Sequence, residues 1–498
     1  MRSIWAVATN TVKQALRMKI AAVFIVMLII MLPVMGVSMT GDGTPKGRLQ
    51  TFVSYGLSLT NLLLCLLTII ITIYTLTSDI KQRQIYTVIT KPIRRYQLLF
   101  GKLLGVVLLN AALLALFSSI IYLITVYTPK YLKVTESELS RLKSRYSQAL
   151  DAELSRVGAS YSEALEAKLL QSSAYLFKLK TDVLKLEADL NQINNEFFTA
   201  RAALVPPEVD VTKEVLDAYE KRKRDGQLPP DVRRSKFIDE LTKRKQLEKR
   251  AAVVGEQLVW EFNNVKVLGP DETLFIRYKY DVSMSPSDSQ VYSMWEVGDS
   301  RQVPPEVSYF PRKDPVRTFR ELEFSSNLIA DDGYLSIKFL NVTLNNTTVM
   351  FPPDGLEVLY KADTFGVNFI RVVLLILIRL IFLASLSLLA STFLSFPVAI
   401  LLSLCVLVTA IFSAFCLESF DYLGENLSWF YHYTVRPIIS LLPQFDKYSP
   451  AKYLVPGRLF SWSLLAKVAG LMIFVKSLLL LLLALLIFRF REIAKIII

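Results

Sequence analysis

Six apolar runs punctuate the chain: Ile20 to Val37, Phe52 to Thr77, Leu103 to Val126, Phe365 to Thr392, Val398 to Phe415 and Leu464 to Phe488. Each has about the length a helix needs to cross a hydrocarbon core, roughly 20 residues. The pattern predicts six transmembrane helices. Ahead of the first run, Ile4, Val7, Ala8, Val12, Ala15 and Leu16 recur at helical spacing among Arg2, Lys13, Arg17 and Lys19, with no acid. This predicts an amphipathic helix lying at the inner membrane surface. A secretory signal peptide fits less well, because the apolar run is long and no small-residue cleavage site is clear before Gly36.

Between the third and fourth runs, Tyr127 to Asp363 is polar and carries two successive patterns. Thr135 to Leu204 is highly charged and free of proline. Leu176, Leu179, Val183, Leu186, Leu190, Ile193 and Phe197 follow the alternating three–four spacing of a coiled-coil seam. Val205-Pro206-Pro207 ends that arm. Val209 to Lys223 and Asp231 to Leu258 return as a second arm, broken at Gly226 to Pro230. Such a helical hairpin would reach at most about 100 Å, less if the arm kinks at Gly158.

From Val259 the period becomes that of strands: Leu258–Phe262, Leu274–Val282, Val291–Glu296, Arg317–Phe324, Tyr334–Leu340, Thr347–Phe351 and Leu356–Tyr360. Turn signals separate them at Gly269-Pro270, Ser285-Pro286, Asp331-Asp332-Gly333 and Pro352 to Gly355. The expected fold class is a six-helix membrane protein with a large inserted extracytoplasmic domain. That domain comprises a long helical hairpin (coiled coil) and a jelly-roll-like β-sandwich. The expected domains are 1–127, 128–258, 259–363 and 364–498.

Charge sets the expected orientation. Ser78 to Gly105 holds Lys81, Arg83, Lys91, Arg94, Arg95 and Lys102 against one acid, Asp79. Basic juxtamembrane loops stay on the cytoplasmic side. Pro92 divides this loop into a short helix at Gln84 to Thr90 and a second helix from Arg95. Thr40 to Gln50 is then an outer turn, Ser391 to Pro397 an inner one, and Glu418 to Trp462 an outer segment. Both termini lie inside, with Arg489 and Arg491 closing the chain, and residues 128–363 lie outside. The chain of 498 residues is 52% hydrophobic with a mean hydropathy of +0.39 and a net charge of +13. The charge gathers beside the apolar runs, so the positive-inside bias accounts for it and a nucleic-acid partner is not expected.

The run I-Y-T-V-I-T-K-P-I-R-R-Y-Q-L-L-F-G-K resembles the cytoplasmic coupling segment of ABC transporter permeases of the type-2 exporter class. That six-span family is related to the gliding-motility and nitrous-oxide-reductase maturation permeases. Ile85, Tyr86, Thr87, Lys91, Pro92, Arg95, Gly101 and Lys102 match. Many members carry a glutamate and a Gly-Thr or Arg-Thr pair ahead of the run, where this chain has Lys81 and Arg83-Gln84. Leu441 to Gly457 also resembles the outer loop before the last span of that family. The resemblance covers the parts flanking the inserted region and leaves that region unexplained. It implies a soluble ABC ATPase, in two copies, docked at Gln84, Ile85, Tyr86, Ile89, Lys91, Pro92 and Arg95. It also implies a second copy of this chain or a homologous permease, ATP and Mg on the ATPase, and residence in a bacterial cytoplasmic (inner) membrane.

Chemistry within the chain is sparse. It has no GxxxxGK[ST] phosphate loop. Cys65, Cys405 and Cys416 fall in or beside apolar runs without metal-ligand spacing, and His432 is the only histidine. No enzyme activity, cofactor or metal is expected of this chain. Arg379 and Lys476 stand mid-span with no acid in any span core; such a charge costs at least about 2.5–3.5 kcal/mol on insertion scales. Two readings are open: they line a path favouring an anionic substrate, or they bond backbone carbonyls within the bundle. Arg371 is expected near the outer surface. Trp260, Tyr278, Tyr280, Tyr292, Trp295 and Tyr309 supply either a sugar-binding face or sandwich core. Sequons stand at Asn341, Asn345, Asn346 and Asn426.

The expected function is the permease subunit of an ABC exporter of a lipid, glycan or other anionic substrate. The alternative is a non-transporting machine that transmits the ATPase cycle to an extracytoplasmic protein. A plain membrane anchor is the third reading. Membrane lipids are expected partners in each case.

Overall fold

The computed structural model describes residues 2–81, 94–157, 161–207, 210–225, 234–263, 265, 272–286, 288–302, 304–413, 415–417, 433–434, 436–446 and 448–490. Two compact units divide the chain. The first combines residues 1–200 with 364–498; the second is Arg201–Asp363. Gly158, Gly226 to Pro230, Gly269-Pro270, Asn426, His432 and Arg491 lie outside the described residues.

The first unit is helical. Its long elements are α1 (Arg2–Leu16), α2 (Lys19–Ser38), α3 (Pro45–Lys81) and α4 (Arg95–Tyr131). After these come α5 (Glu136–Val157), α6 (Glu163–Ser172) and α7 (Ala174–Asn191), the last continued by a π-helical turn at Gln192–Phe197. Among the described residues, five helices are long and apolar enough to cross a membrane: α2, α3, the helix from Arg95, Phe365–Phe393 and Trp462–Phe490. The apolar helix Phe396–Ile411 has 16 residues, about 24 Å of rise, and is shorter than the roughly 30 Å hydrocarbon core. Phe365–Phe393 is the hub, buried along most of its length. By contrast α2 and Trp462–Phe490 leave most of their apolar surface uncovered. Uncovered apolar faces on helices of this length are what a lipid solvent selects.

Small residues decide how closely helices approach. On α4, Gly101 and Gly105 form one face under α1. A Cβ on Gly105 would lie 2.6 Å from the Ala8 carbonyl oxygen, and one on Gly101 would lie 2.9 Å from the Ile4 carbonyl oxygen. The backbone of α1 therefore rests directly on α4, with Ala8, Thr11 and Ala15 buried. The turn before α3 is built by Asp42, whose Oδ1 accepts from the Thr44 N–H (3.0 Å) and hydroxyl (2.6 Å). Gly41 and Gly43 supply its positive φ angles.

The expected first arm of the hairpin is not one rod. α5 ends at Val157, and α6 and α7 fold back along it. Leu150, Leu154, Leu169 and Leu176 pack together, and Lys143 pairs with Glu187 at 2.9 Å. The seam positions Leu176, Leu179, Val183, Leu190, Ile193 and Phe197 are buried, the last three in the core of the first unit. The reach of about 100 Å is lost because the apolar seam finds a partner within its own arm. The end of that arm, Thr199–Leu204, is strand β1. Its Ala-rich sequence favours helix locally, but pairing in a sheet overrides so weak a preference.

The second unit holds two helices and the remaining strands. α8 (Thr212–Arg224) and α9 (Arg234–Lys249) pack on each other through Val215, Tyr219, Phe237 and Leu241. The strands are β2 (Ala251–Ala252), β3 (Gln257–Phe262), β4 (Thr273–Tyr278), β5 (Asp281–Val282), β6 (Gln290–Asp299), β7 (Glu306–Pro315), β8 (Arg320–Ser325), β9 (Leu335–Asn341), β10 (Val349–Met350) and β11 (Leu356–Thr364). They form three sheets in the orders β1-β11-β4-β8, β2-β10-β5 and β3-β9-β6-β7. Alternating side chains from these sheets share one core containing Tyr278, Tyr280, Trp295, Phe339 and Phe351. β7 escapes sequence reading because it carries Pro311 and Pro315. It tolerates them as an edge strand paired only to β6.

The remaining helices of the first unit are α10 (Phe365–Phe393), α11 (Phe396–Ile411), α12 (Arg436–Leu441), α13 (Pro450–Leu454), α14 (Trp462–Ala469) and α15 (Leu478–Phe490), with a π-helical stretch Gly470–Ser477 joining the last two.

Candidate functional site

Two groups of polar side chains stand out in the helical unit, because both hold charge where helices pack. The first lies where α3 ends and α4 begins, on either side of residues 82–93. Lys102 is almost wholly buried; its Nζ donates to the Thr75 carbonyl at 2.7 Å and pairs with Asp79 Oδ2 at 2.5 Å. Gln14 of α1 donates to the other Asp79 oxygen at 3.3 Å. Three helices are thereby tied by one ion pair. Below them, Leu76, Leu98, Leu99, Leu388, Leu481, Ala484 and Phe488 make a separate apolar cluster.

Arg95 braces the same end. Its Nη1 donates to the Phe488 and Arg489 carbonyls, each at 2.8 Å. The Arg95 guanidinium thus reaches backbone in the last described turn of α15. Gln84, Ile85, Tyr86, Ile89, Lys91 and Pro92 lie outside the described residues. Arg95, expected beside them, is engaged with the last helix. The burial of Lys102 and the pairing of Asp79 were not foreseen. The available signal was a lone acid in a basic stretch.

The second group is formed by the mid-helix cations. Arg379 is the middle residue of the 29-residue α10, and Lys476 is the middle residue of the 29-residue span Trp462–Phe490. Arg379 Nη2 donates to the Phe445 and Tyr448 carbonyls, both at 2.6 Å, and the guanidinium lies over the Phe445 ring at 4.9 Å. Lys476 donates to the Leu442 carbonyl at 2.9 Å. Both thus serve carbonyls of one irregular segment between α12 and α13. This is the backbone-bonding arrangement of the two read from sequence, and Arg379 is only 4% exposed.

That segment was expected as part of an outer loop. Its described part reaches the level of the middle of α10. Phe445 is buried against Phe382, its N–H donates to the Ala410 carbonyl at 3.0 Å, and Asp446 accepts from Ser413 at 3.1 Å. Non-helical backbone survives at such depth only where protein groups satisfy its polar atoms. Arg379 and Lys476 meet that requirement for the Phe445, Tyr448 and Leu442 carbonyls. The segment is pinned again further along: Gln50 donates to the Val455 carbonyl, and Asn368 bonds both Arg458 O and Phe460 N, all at 2.8 Å. Arg371 stacks on Trp462 at 4.9 Å.

The β unit does not assemble an aromatic face from the residues considered. Tyr278, Tyr280 and Trp295 are fully buried, and Trp260 stacks on Trp295 at 6.5 Å. Tyr309 is exposed and Tyr292 lies under Lys313. Tyr278 donates to Asp314 at 2.5 Å, and burial together with that carboxylate raises its hydroxyl above the ordinary phenol range. Two of the sequon asparagines are structural. Asn341 donates to the Ala252 and Thr347 carbonyls, and Asn345 clamps the backbone of Tyr292.

No protein-family model, curated protein or solved structure matches this chain.

Proposed function

We propose that the chain is the membrane subunit of an ABC exporter of the type-2 class, driven by a separate ATPase that docks on residues 84–95. In this reading α11 makes a sixth crossing, both termini are cytoplasmic, and residues 128–363 are extracytoplasmic in a bacterial inner membrane. Two copies, or one copy and a homologue, enclose the path. ATP and Mg belong to the ATPase, and this chain is not itself an enzyme. The observation that carries the reading is the bracing around residues 82–93. The Asp79–Lys102 pair, the Arg95 contacts to α15 and the seat of α1 on Gly101 and Gly105 link four helices to the ends of one short segment. A force applied to that segment reaches the whole bundle. Co-purification tests it: Ile85→Asp with Ile89→Asp abolishes retention of the ATPase, and full retention sinks the docking site.

A second reading has support of its own. Arg379 and Lys476, the charges best suited to an anionic substrate, engage protein carbonyls. The chain also carries a separate β unit of its own. Both features suit a machine that passes the ATPase cycle to an extracytoplasmic partner without moving a substrate through the spans. The two readings part on one measurement: reconstituted vesicles show ATP-dependent substrate movement in the first and none in the second.

A further inference from the structure

We infer that the corner between α1 and α2 is a binding site for the phosphate headgroup of an anionic phospholipid. A cavity of about 880 Å³ opens there, lined by Arg17 and Lys19 on one side and by Tyr74, Thr77, Ser78 and Phe396 on the other. The chain turns at Met18, whose extended backbone leaves α2 without a side-chain cap. The start of a 20-residue helix, through Met18, Lys19 and Ile20, and the cation Arg17 therefore border one space, an arrangement that favours an anion. No acid precedes Asp42 in the chain, and Asp79, next to Ser78, is already held by Lys102 and Gln14. The Tyr74 and Ser78 hydroxyls make no hydrogen bond to a described residue and are available to a phosphate oxygen.

The surroundings select a lipid over a free phosphate. Phe396 and Tyr74 meet edge to face at 6.4 Å at the cavity wall. From there Val23 and Met27 of α2 and Val398 and Leu402 of α11 continue as exposed apolar residues. A headgroup in the cavity would place its acyl chains along these uncovered helices. Basic pockets beside membrane helices recognise anionic headgroups in this manner, and the site adds hydroxyl donors that a diffuse charge patch lacks. The inference rests on the orientation proposed above only in placing the site in the inner leaflet; it does not require an ATPase or a transported substrate.

The test uses the full chain in a neutral detergent, with lipid adducts counted by native mass spectrometry. Phosphatidylglycerol should bind in preference to phosphatidylcholine. Arg17→Gln with Lys19→Gln should weaken it by about tenfold or more. Lys13→Gln, one turn away on α1, should leave it unchanged, and Tyr74→Phe should reduce it while keeping the fold. Equal phosphatidylglycerol binding by the double variant overturns the site. An equal loss in Lys13→Gln overturns it too, because charge alone would then suffice. Inorganic phosphate at millimolar concentration should not displace the lipid; full displacement would make the ligand a soluble phosphate and overturn the lipid assignment. Loss of the ATPase docking described above, with lipid binding intact, would strike the proposed function and leave this site standing.

Discussion

Lys102 and Asp79 form a buried ion pair, 2.5 Å between Nζ and Oδ2, across the two helices that flank residues 82–93. Removing one partner of such a pair leaves an uncompensated charge, whereas removing both charges is often nearly neutral. Lys102→Met should therefore destabilise the protein by about 3–5 kcal/mol. Adding Asp79→Asn should restore most of that loss. Unfolding in detergent measures both. A double variant as unstable as the single one would show that the pair is not the tie between α3 and α4.

Arg379 and Lys476 hold the irregular segment at the level of the middle of α10. Arg379→Gln should cost about 1.5–3 kcal/mol, the range for a hydrogen bond to a charged group. Lys476→Gln should cost less, since that side chain is only half-buried. Limited proteolysis reports the mechanism: cleavage between Leu442 and Ser449 should rise in Arg379→Gln before global unfolding. Unchanged cleavage with lost transport would return Arg379 to a path-lining role.

The seat of α1 depends on the absence of a side chain at Gly105. Gly105→Val should force α1 away, because even its Cβ would lie 2.6 Å from the Ala8 carbonyl oxygen. Ala8 is 1% exposed, so a cysteine there should be unreactive in the parent and labelled in the Gly105→Val variant. A cysteine that stays unreactive would mean that α1 holds its place by other contacts.

Glu166 ties α6 to its neighbours. Lys180 donates to it at 2.7 Å, and the Tyr146 and Tyr161 hydroxyls donate as well. The Lys180 bond first, then the two tyrosines, lower its carboxyl from 4.5 to about 2. A carboxylate depressed in the folded state stabilises it fully above its unfolded value. That stabilisation is lost as pH falls from about 4.5 towards about 2. Glu166→Gln should remove the loss from that window, read as the difference in thermal midpoint between pH 5 and pH 3. Parallel pH curves for parent and variant would exclude the tie.

Orientation is checked separately. A cysteine at Lys143 should react with an impermeant thiol reagent from outside intact cells, and one at Gln84 only after the membrane is opened. The opposite pattern would invert the proposed topology.

The sequence determined where the apolar helices lie, because long apolar runs and their proline or glycine limits are local properties. It also determined most strands of the β unit, since β4, β6, β9 and β11 send alternate side chains, such as Leu274, Ile276 and Tyr278, into one core. The basic stretch around Pro92 and the mid-span positions of Arg379 and Lys476 were equally plain in the chain. What those residues contact was not. Whether a cation meets a cavity or a carbonyl depends on a segment 66 to 69 positions away in one case and 34 in the other. Only folding brings Phe445 and Tyr448 to Arg379, and Leu442 to Lys476. The same holds for the fold-back of α6 and α7 on α5, and for β1, where sheet pairing outweighs a local helical preference. Local pattern sets which element each stretch can form; burial of unsatisfied carbonyls and unpaired seams decides which partners it takes.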